Sequence, residues 1–131
     1  MIAADTNSWA RAILGDDAKQ SPAARKAIGQ AASSSGIFVP LLVLVELGWV
    51  LRSAPGWAPA KVREALENLL TMEGVEVEDA PLAREALGLS TGTVGFADNL
   101  IALTVKKRGC TKRLTFDARL AKTGWAVLLK N

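Results

Sequence analysis

The sequence predicts an α/β domain whose mostly parallel sheet is covered by helices on both faces. Three observations lead there. Short apolar runs alternate with longer segments at helical spacing, so parallel neighbours are expected, since they need crossover connections. Two of those runs end directly on an aspartate, as strands do where they open into a functional crevice. A chain of 131 residues that is half apolar has the size of one domain with one core, and residues 1–131 carry no internal repeat or linker.

The elements follow in order. Met1 to Ala4 is a short strand ending on Asp5-Thr6-Asn7, where Asp, Thr or Asn can cap a helix carrying Trp9, Ala12 and Ile13. Ser21-Pro22 opens a second helix over Ala23 to Ala32, because proline suits the first helical turn, and Ser33 to Gly36 closes it. Ile37 to Val39 is a buried strand. Leu41 to Arg52 is apolar almost all round, as a helix buried on several faces would be, and Pro55-Gly56 ends it. Pro59 opens the next helix, to about Met72, with Val62, Leu66, Leu69 and Leu70 near helical spacing. Val75 to Glu78 alternates as a strand, Pro81 to Leu89 is helical, and Ser90 to Gly95 is a Gly/Thr loop. Phe96 to Lys107 is an amphipathic helix, and Arg113 to Phe116 and Ala126 to Leu129 are the last strands.

Composition excludes several chemistries. Without histidine the chain cannot run a Ser-His-Asp triad, a Cys-His pair, a histidine-based acid/base mechanism or a His-ligated zinc site. The lone Cys110 rules out an internal disulfide and fits a reducing compartment. No basic, apolar leader follows Met1, and the apolar run Ile37 to Val45 contains Pro40 and is far too short to span a membrane. The expectation is a cytoplasmic protein without a membrane segment. A net charge of +3 is modest, but its distribution is uneven: from Lys106 to Asn131 eight basic residues face the single acid Asp117, whereas from Glu64 to Asp98 eight acids face Arg84. A basic C-terminal segment suits a polyanion such as RNA, with Lys106, Lys107, Arg108 and Arg119 as candidate contacts, and equally suits a solvated surface.

Four carboxylates stand out. Glu46 is alone within Leu41 to Leu47, where burial would demand a cation or a hydrogen-bond network; the alternatives are an ion pair with a residue such as Arg52 or Arg84, or simple exposure on a narrow polar stripe. Asp5 and Asp117 each follow a strand, placing both at one sheet edge, and each also suits a helix N-cap. Asp98 lies in a first helical turn, where the helix dipole favours an acid. Clustered carboxylates repel one another, and a hard divalent ion with oxygen ligands relieves this; magnesium or manganese fits better than zinc. Such an ion polarises a phosphate oxygen and acidifies bound water, so the set points to phosphodiester hydrolysis. The four tryptophans are read as core or interface residues and not as RNA-stacking platforms, and Leu42, Val45, Trp49 and Val50 as core, with dimerisation or docking of a partner protein the alternative if they are partly exposed.

These residues resemble the PIN-domain ribonucleases, and among them the VapC-type toxins of bacterial toxin-antitoxin pairs. The matching stretches are Ile2 to Asn7, Phe38-Val39-Pro40 through Val45-Glu46-Leu47, Phe96 to Ala102, and Leu114 to Asp117, in the family's order over nearly the whole chain. The resemblance implies a three-layer α/β/α sandwich with a central mostly parallel sheet. It implies a Mg²⁺- or Mn²⁺-dependent endoribonuclease, usually a homodimer, that is inhibited by a small antitoxin. Asp5, Glu46, Asp98 and Asp117 occupy the acidic-quartet positions, and Thr6 and Thr115 match polar residues beside them. One departure is plain: many relatives carry a further acid three residues before the third aspartate, where this chain has Gly95.

Two other readings compete. A non-catalytic binding module of the same fold would keep the carboxylates for stability. A receiver-type phosphoryl-transfer protein wants further acids beside the first strand, where this chain supplies Asp5 alone, and no Walker-type phosphate loop is present.

Overall fold

The computed structural model describes residues 1–91 and 94–130. Its elements run β1 (Ile2–Ala3), α1 (Thr6–Leu14), α2 (Gln20–Ser33), β2 (Ile37–Val39), α3 (Leu41–Ser53), α4 (Pro59–Thr71), β3 (Val75–Val77), α5 (Ala80–Gly88), α6 (Phe96–Lys107), β4 (Arg113–Thr115), α7 (Ala118–Ala121) and β5 (Ala126–Leu128). Every strand pairing is parallel. One ladder has the order β1-β2-β3, with Ile2 opposite Ile37 and Ile37 opposite Val75; a second pairs β4 with β5, with Leu114 opposite Val127. The architecture is the predicted α/β one, a parallel sheet flanked by helices.

The core is centred on α3. Leu44, Leu47 and Leu51 recur at three- and four-residue spacing, are fully buried, and meet Ile37 and Val39 of β2, Leu66 of α4 and Leu100 of α6. Gly48 lies on the same face, and a β-carbon there would stand 3.3 Å from the Phe96 ring and 3.4 Å from the Ala97 β-carbon. The absence of a side chain at 48 therefore sets how closely α3 and α6 approach, and with it how the acids of the two helices are placed. Gly74, which precedes β3, has φ +82°, and a β-carbon would collide with the Ala32 carbonyl at 1.9 Å; no other residue fits that turn.

Several elements differ from the sequence expectation. The second helix starts at Gln20, ahead of Pro22, because Asp17 and Ser21 cap it reciprocally: the Asp17 carboxylate accepts from the amides of Lys19 and Gln20, and the Ser21 hydroxyl accepts from the Asp17 amide. Strand β2 has the expected bounds, and the other strands are one or two residues shorter than expected. Helix α7 was anticipated only through the N-cap alternative for Asp117, which caps it; at four residues it is too short to show a hydrophobic period. The predicted Ser90–Gly95 loop includes positions 92 and 93, which lie outside the described residues.

The largest correction concerns α3. It buries one face, not most of its surface: Leu42 is 78% exposed, Trp49 is 50% exposed, and Val50 is also exposed. A uniformly apolar helix gives no periodicity by which to tell its inward from its outward face. Trp9 is buried, whereas Trp57 and Trp125 are half-buried under the ammonium groups of Lys61 and Lys106, 4.4 and 4.7 Å from the ring centroids. Among the described residues no helix is long and apolar enough to cross a membrane.

Candidate functional site

Asp5 leaves the carboxyl end of β1 as the N-cap of α1. Its Oδ1 accepts from the Ser8 amide at 2.8 Å and the Ser8 hydroxyl at 2.7 Å, and these two bonds hold its carboxyl below the ordinary value. One oxygen is thus fixed by neutral donors, and the carboxylate stays ionised. Thr6, the next residue, donates its hydroxyl to Glu46 Oε1 at 2.9 Å, tying the start of α1 to the second turn of α3. Glu46 is exposed, so the premise of a buried acid does not hold; its partner is a threonine hydroxyl, not Arg52 or Arg84. The α3 turn that turns outward is the one that carries it.

The other two acids have a different environment. Asp98, in the first turn of α6, is largely buried, with the Arg52 guanidinium 3.8 Å from Oδ2 and the Arg113 guanidinium 3.9 Å from Oδ1. Arg113 also donates to the Asp98 carbonyl. Asp117 caps α7 and forms a two-pronged pair with Arg119 at 2.8 and 3.2 Å. The guanidinium first, then the Arg119 amide, lower the Asp117 carboxyl to about 2. The Thr115 hydroxyl accepts from the Asp117 amide at 2.9 Å and so holds the strand-to-helix turn.

The N-cap alternative raised for Asp5 and Asp117 is thus realised at both, and neither cap uses every carboxylate oxygen lone pair. Asp98 has cationic neighbours that its sequence surroundings do not show, since Arg52 and Arg113 arrive from α3 and β4. Among the described residues no three acidic or thiol side chains stand close enough together to hold one ion. The donors nevertheless fit a hard cation in kind: all are oxygens, and Asp5 and Glu46 are held by hydroxyl and amide donors alone.

Of the basic residues expected to meet RNA, Arg119 lies at the acids, and Lys106 packs on Trp125 beside them. Lys107 does not: its ammonium pairs with Asp79 at 2.6 Å, locking the end of α6 to the start of α5. Arg108 ends α6. Sequence reasoning missed Arg113 and Lys122, which with Lys106 and Arg119 line a cleft of about 460 Å³ that Asp98 also borders. Their scatter over 17 positions hides this; only the return of the chain through β4 and α7 brings them together.

The chain matches the PIN domain family over residues 2–126. It is 33% identical over 90 residues to a VapC ribonuclease of Aquifex aeolicus (strain VF5), an alignment covering 68% of this chain and 67% of the relative. No solved structure matches it.

Proposed function

The chain belongs to the PIN-domain family, and on that premise we propose that it is a metal-dependent endoribonuclease, the toxin of a type II toxin-antitoxin pair. The observation that carries this reading is the pair of carboxylates at the carboxyl end of a parallel strand: Asp5, which Ser8 holds ionised with neutral donors, and Glu46, which the hydroxyl of the adjoining Thr6 orients. That is where an open α/β sheet presents ligands, and it is the charge state a divalent cation requires. Asp5, Glu46, Asp98 and Asp117 would hold Mg²⁺ or Mn²⁺, which requires them to draw closer than they stand among the described residues. Bound there, the ion supplies Lewis acidity toward a phosphate oxygen and an acidified water.

The chain's own residues do the rest. Ser8 fixes the orientation of Asp5, Thr6 that of Glu46, and Thr115 the turn from which Asp117 projects. Arg113 and Arg119 place positive charge where the anionic backbone of RNA would lie. The exposed Leu42 and Val50 on α3 support a homodimer or antitoxin interface, and the cell compartment proposed is the cytoplasm.

A second reading, a PIN-fold module without catalysis, draws on one observation: the arginines already neutralise Asp98 and Asp117, and residue 95 is not an acid. Incubating purified protein with total RNA, with and without Mn²⁺, separates the two. The nuclease reading expects Mn²⁺-dependent cleavage that Asp5→Asn lowers by at least about 10²-fold with the fold intact. Equal products from wild type and Asp5→Asn would overturn it.

A further inference from the structure

Gly95 precedes α6 with φ −81° and ψ 174°, a conformation open to any residue. Its lack of a side chain matters for space, not for backbone freedom. A β-carbon at 95 would stand 2.8 Å from Arg52 Nη1 and 3.6 Å from Arg52 Cδ, so the guanidinium that faces Asp98 occupies the volume a side chain at 95 would need. Arg52, Gly95 and Arg119 all border a cavity of about 450 Å³ whose remaining wall is mainly apolar and includes Trp49 and Trp57. Trp49 is half exposed, which leaves indole surface open beside the two guanidinium groups.

We propose that this cavity is a nucleotide subsite for the RNA strand: Arg52, admitted by Gly95, and Arg119 hold a backbone phosphate next to the acidic residues, and the adjoining base enters the cavity against Trp49. Cation and aromatic wall are the two features that single-stranded nucleic acid recognition combines, one for the phosphate and one for the base face. The volume lies in the range of small-ligand pockets. Charge complementarity selects an anionic ligand, since three arginines, Arg52, Arg63 and Arg119, line this cavity and no carboxylate does, although Arg52 and Arg119 also face Asp98 and Asp117. The assignment rests on the ribonuclease reading and deepens it: the place taken in many relatives by a further acid is held here by a positive charge, turning that flank of the site from cation binding to phosphate binding.

The test is binding of a fluorescein-labelled single-stranded RNA oligonucleotide, read by anisotropy in EDTA across a salt series, so that nothing is cut. Arg52→Gln is expected to weaken binding on the order of tenfold and to reduce the salt slope by about 0.7, the loss of one phosphate contact on a single strand. Gly95→Ala is expected to do the same by displacing the guanidinium, and the double variant to be no weaker than Arg52→Gln alone. Trp49→Ala is expected to weaken binding without changing the slope. A role confined to neutralising Asp98 would change Tm and leave affinity and slope at wild-type values, overturning the proposal, as would additive effects in the double variant. Should Gly95→Ala not fold, the slope of Arg52→Gln decides alone. Wild type that binds RNA yet fails to cut it with Mn²⁺ refutes the nuclease reading and not the subsite; wild type that cuts, with Arg52→Gln binding unchanged, refutes the subsite only.

Discussion

The two halves of the acidic set are built in opposite ways. On the β1 side, Asp5 and Glu46 are braced by Ser8 and Thr6, neutral groups that orient a carboxylate without cancelling its charge. On the β4 side, Asp98 and Asp117 face Arg52, Arg113 and Arg119, which cancel it. The same residue type thus stands in two settings: acids held by neutral groups keep the charge a cation would need, whereas paired acids hold guanidinium groups in position, and such groups are suited to phosphate. Sequence separation does not set the difference, since Thr6 lies 40 positions from Glu46 and Arg119 only two from Asp117. Asp5 is met by Ser8, three positions away, and Glu46 by Thr6 across the α1–α3 contact, while the arginines reach Asp98 from 15 and 46 positions distant.

The contact that keeps both halves together is the close approach of α3 and α6 at Gly48. Gly48→Val adds methyl groups against Phe96 and Ala97 and is expected to cost about 1–3 kcal/mol. Tm should fall by several degrees, and RNA cleavage should decline with it, because Glu46 and Asp98 sit on the two helices forced apart. Unchanged Tm would show that the two halves are not coupled through this contact.

Thr6→Val removes the only hydroxyl that orients Glu46 among the described residues and is expected to cost about 0.5–1.5 kcal/mol in stability or in the affinity of a bound cation. Thr6→Ser should restore most of it. Loss of cleavage in Thr6→Ser as severe as in Thr6→Val would mean that the methyl group, and not the hydroxyl, does the orienting.

The smallest expected effect lies on the arginine side. Asp117 has a folded-state value of about 2, below its ordinary one, so the pair with Arg119 contributes its full stability above the ordinary carboxylate range and loses it as pH falls toward 2. Arg119→Gln should raise the Asp117 carboxyl toward its usual value and flatten the acid limb of stability between about pH 4 and 2. Urea midpoints measured across that range check it; an acid limb identical to wild type would show that the pair does not titrate in this way.

Much of the fold was legible because it rests on local signals. Alternating apolar runs, Pro59 at a helix start, and Asp5 and Asp117 at strand ends all act within a few residues. The exposed face of α3 was not legible, because Leu41 to Val45 is apolar in every direction and only the position of β2 and α6 decides which side is inside. The four acids could be picked out one by one, but not their partners. Arg52 read as a possible mate for Glu46 and instead faces Asp98, while Arg113 lies in a strand whose register alone carries it there. Gly95 was visible as a missing acid; that its empty volume holds a guanidinium required coordinates.

On the proposed reading, the hydroxyl-braced acids provide the cation site and the arginine-paired acids do not dominate it. Mn²⁺ binding followed by electron paramagnetic resonance of the free ion tests this most directly, in wild type, Asp5→Asn and Arg119→Gln at pH 7. Wild type should bind Mn²⁺, Asp5→Asn should bind it at least about tenfold more weakly, and Arg119→Gln should bind it as well as wild type or better. Equal affinity in wild type and Asp5→Asn, or no Mn²⁺ binding by wild type, would contradict the account.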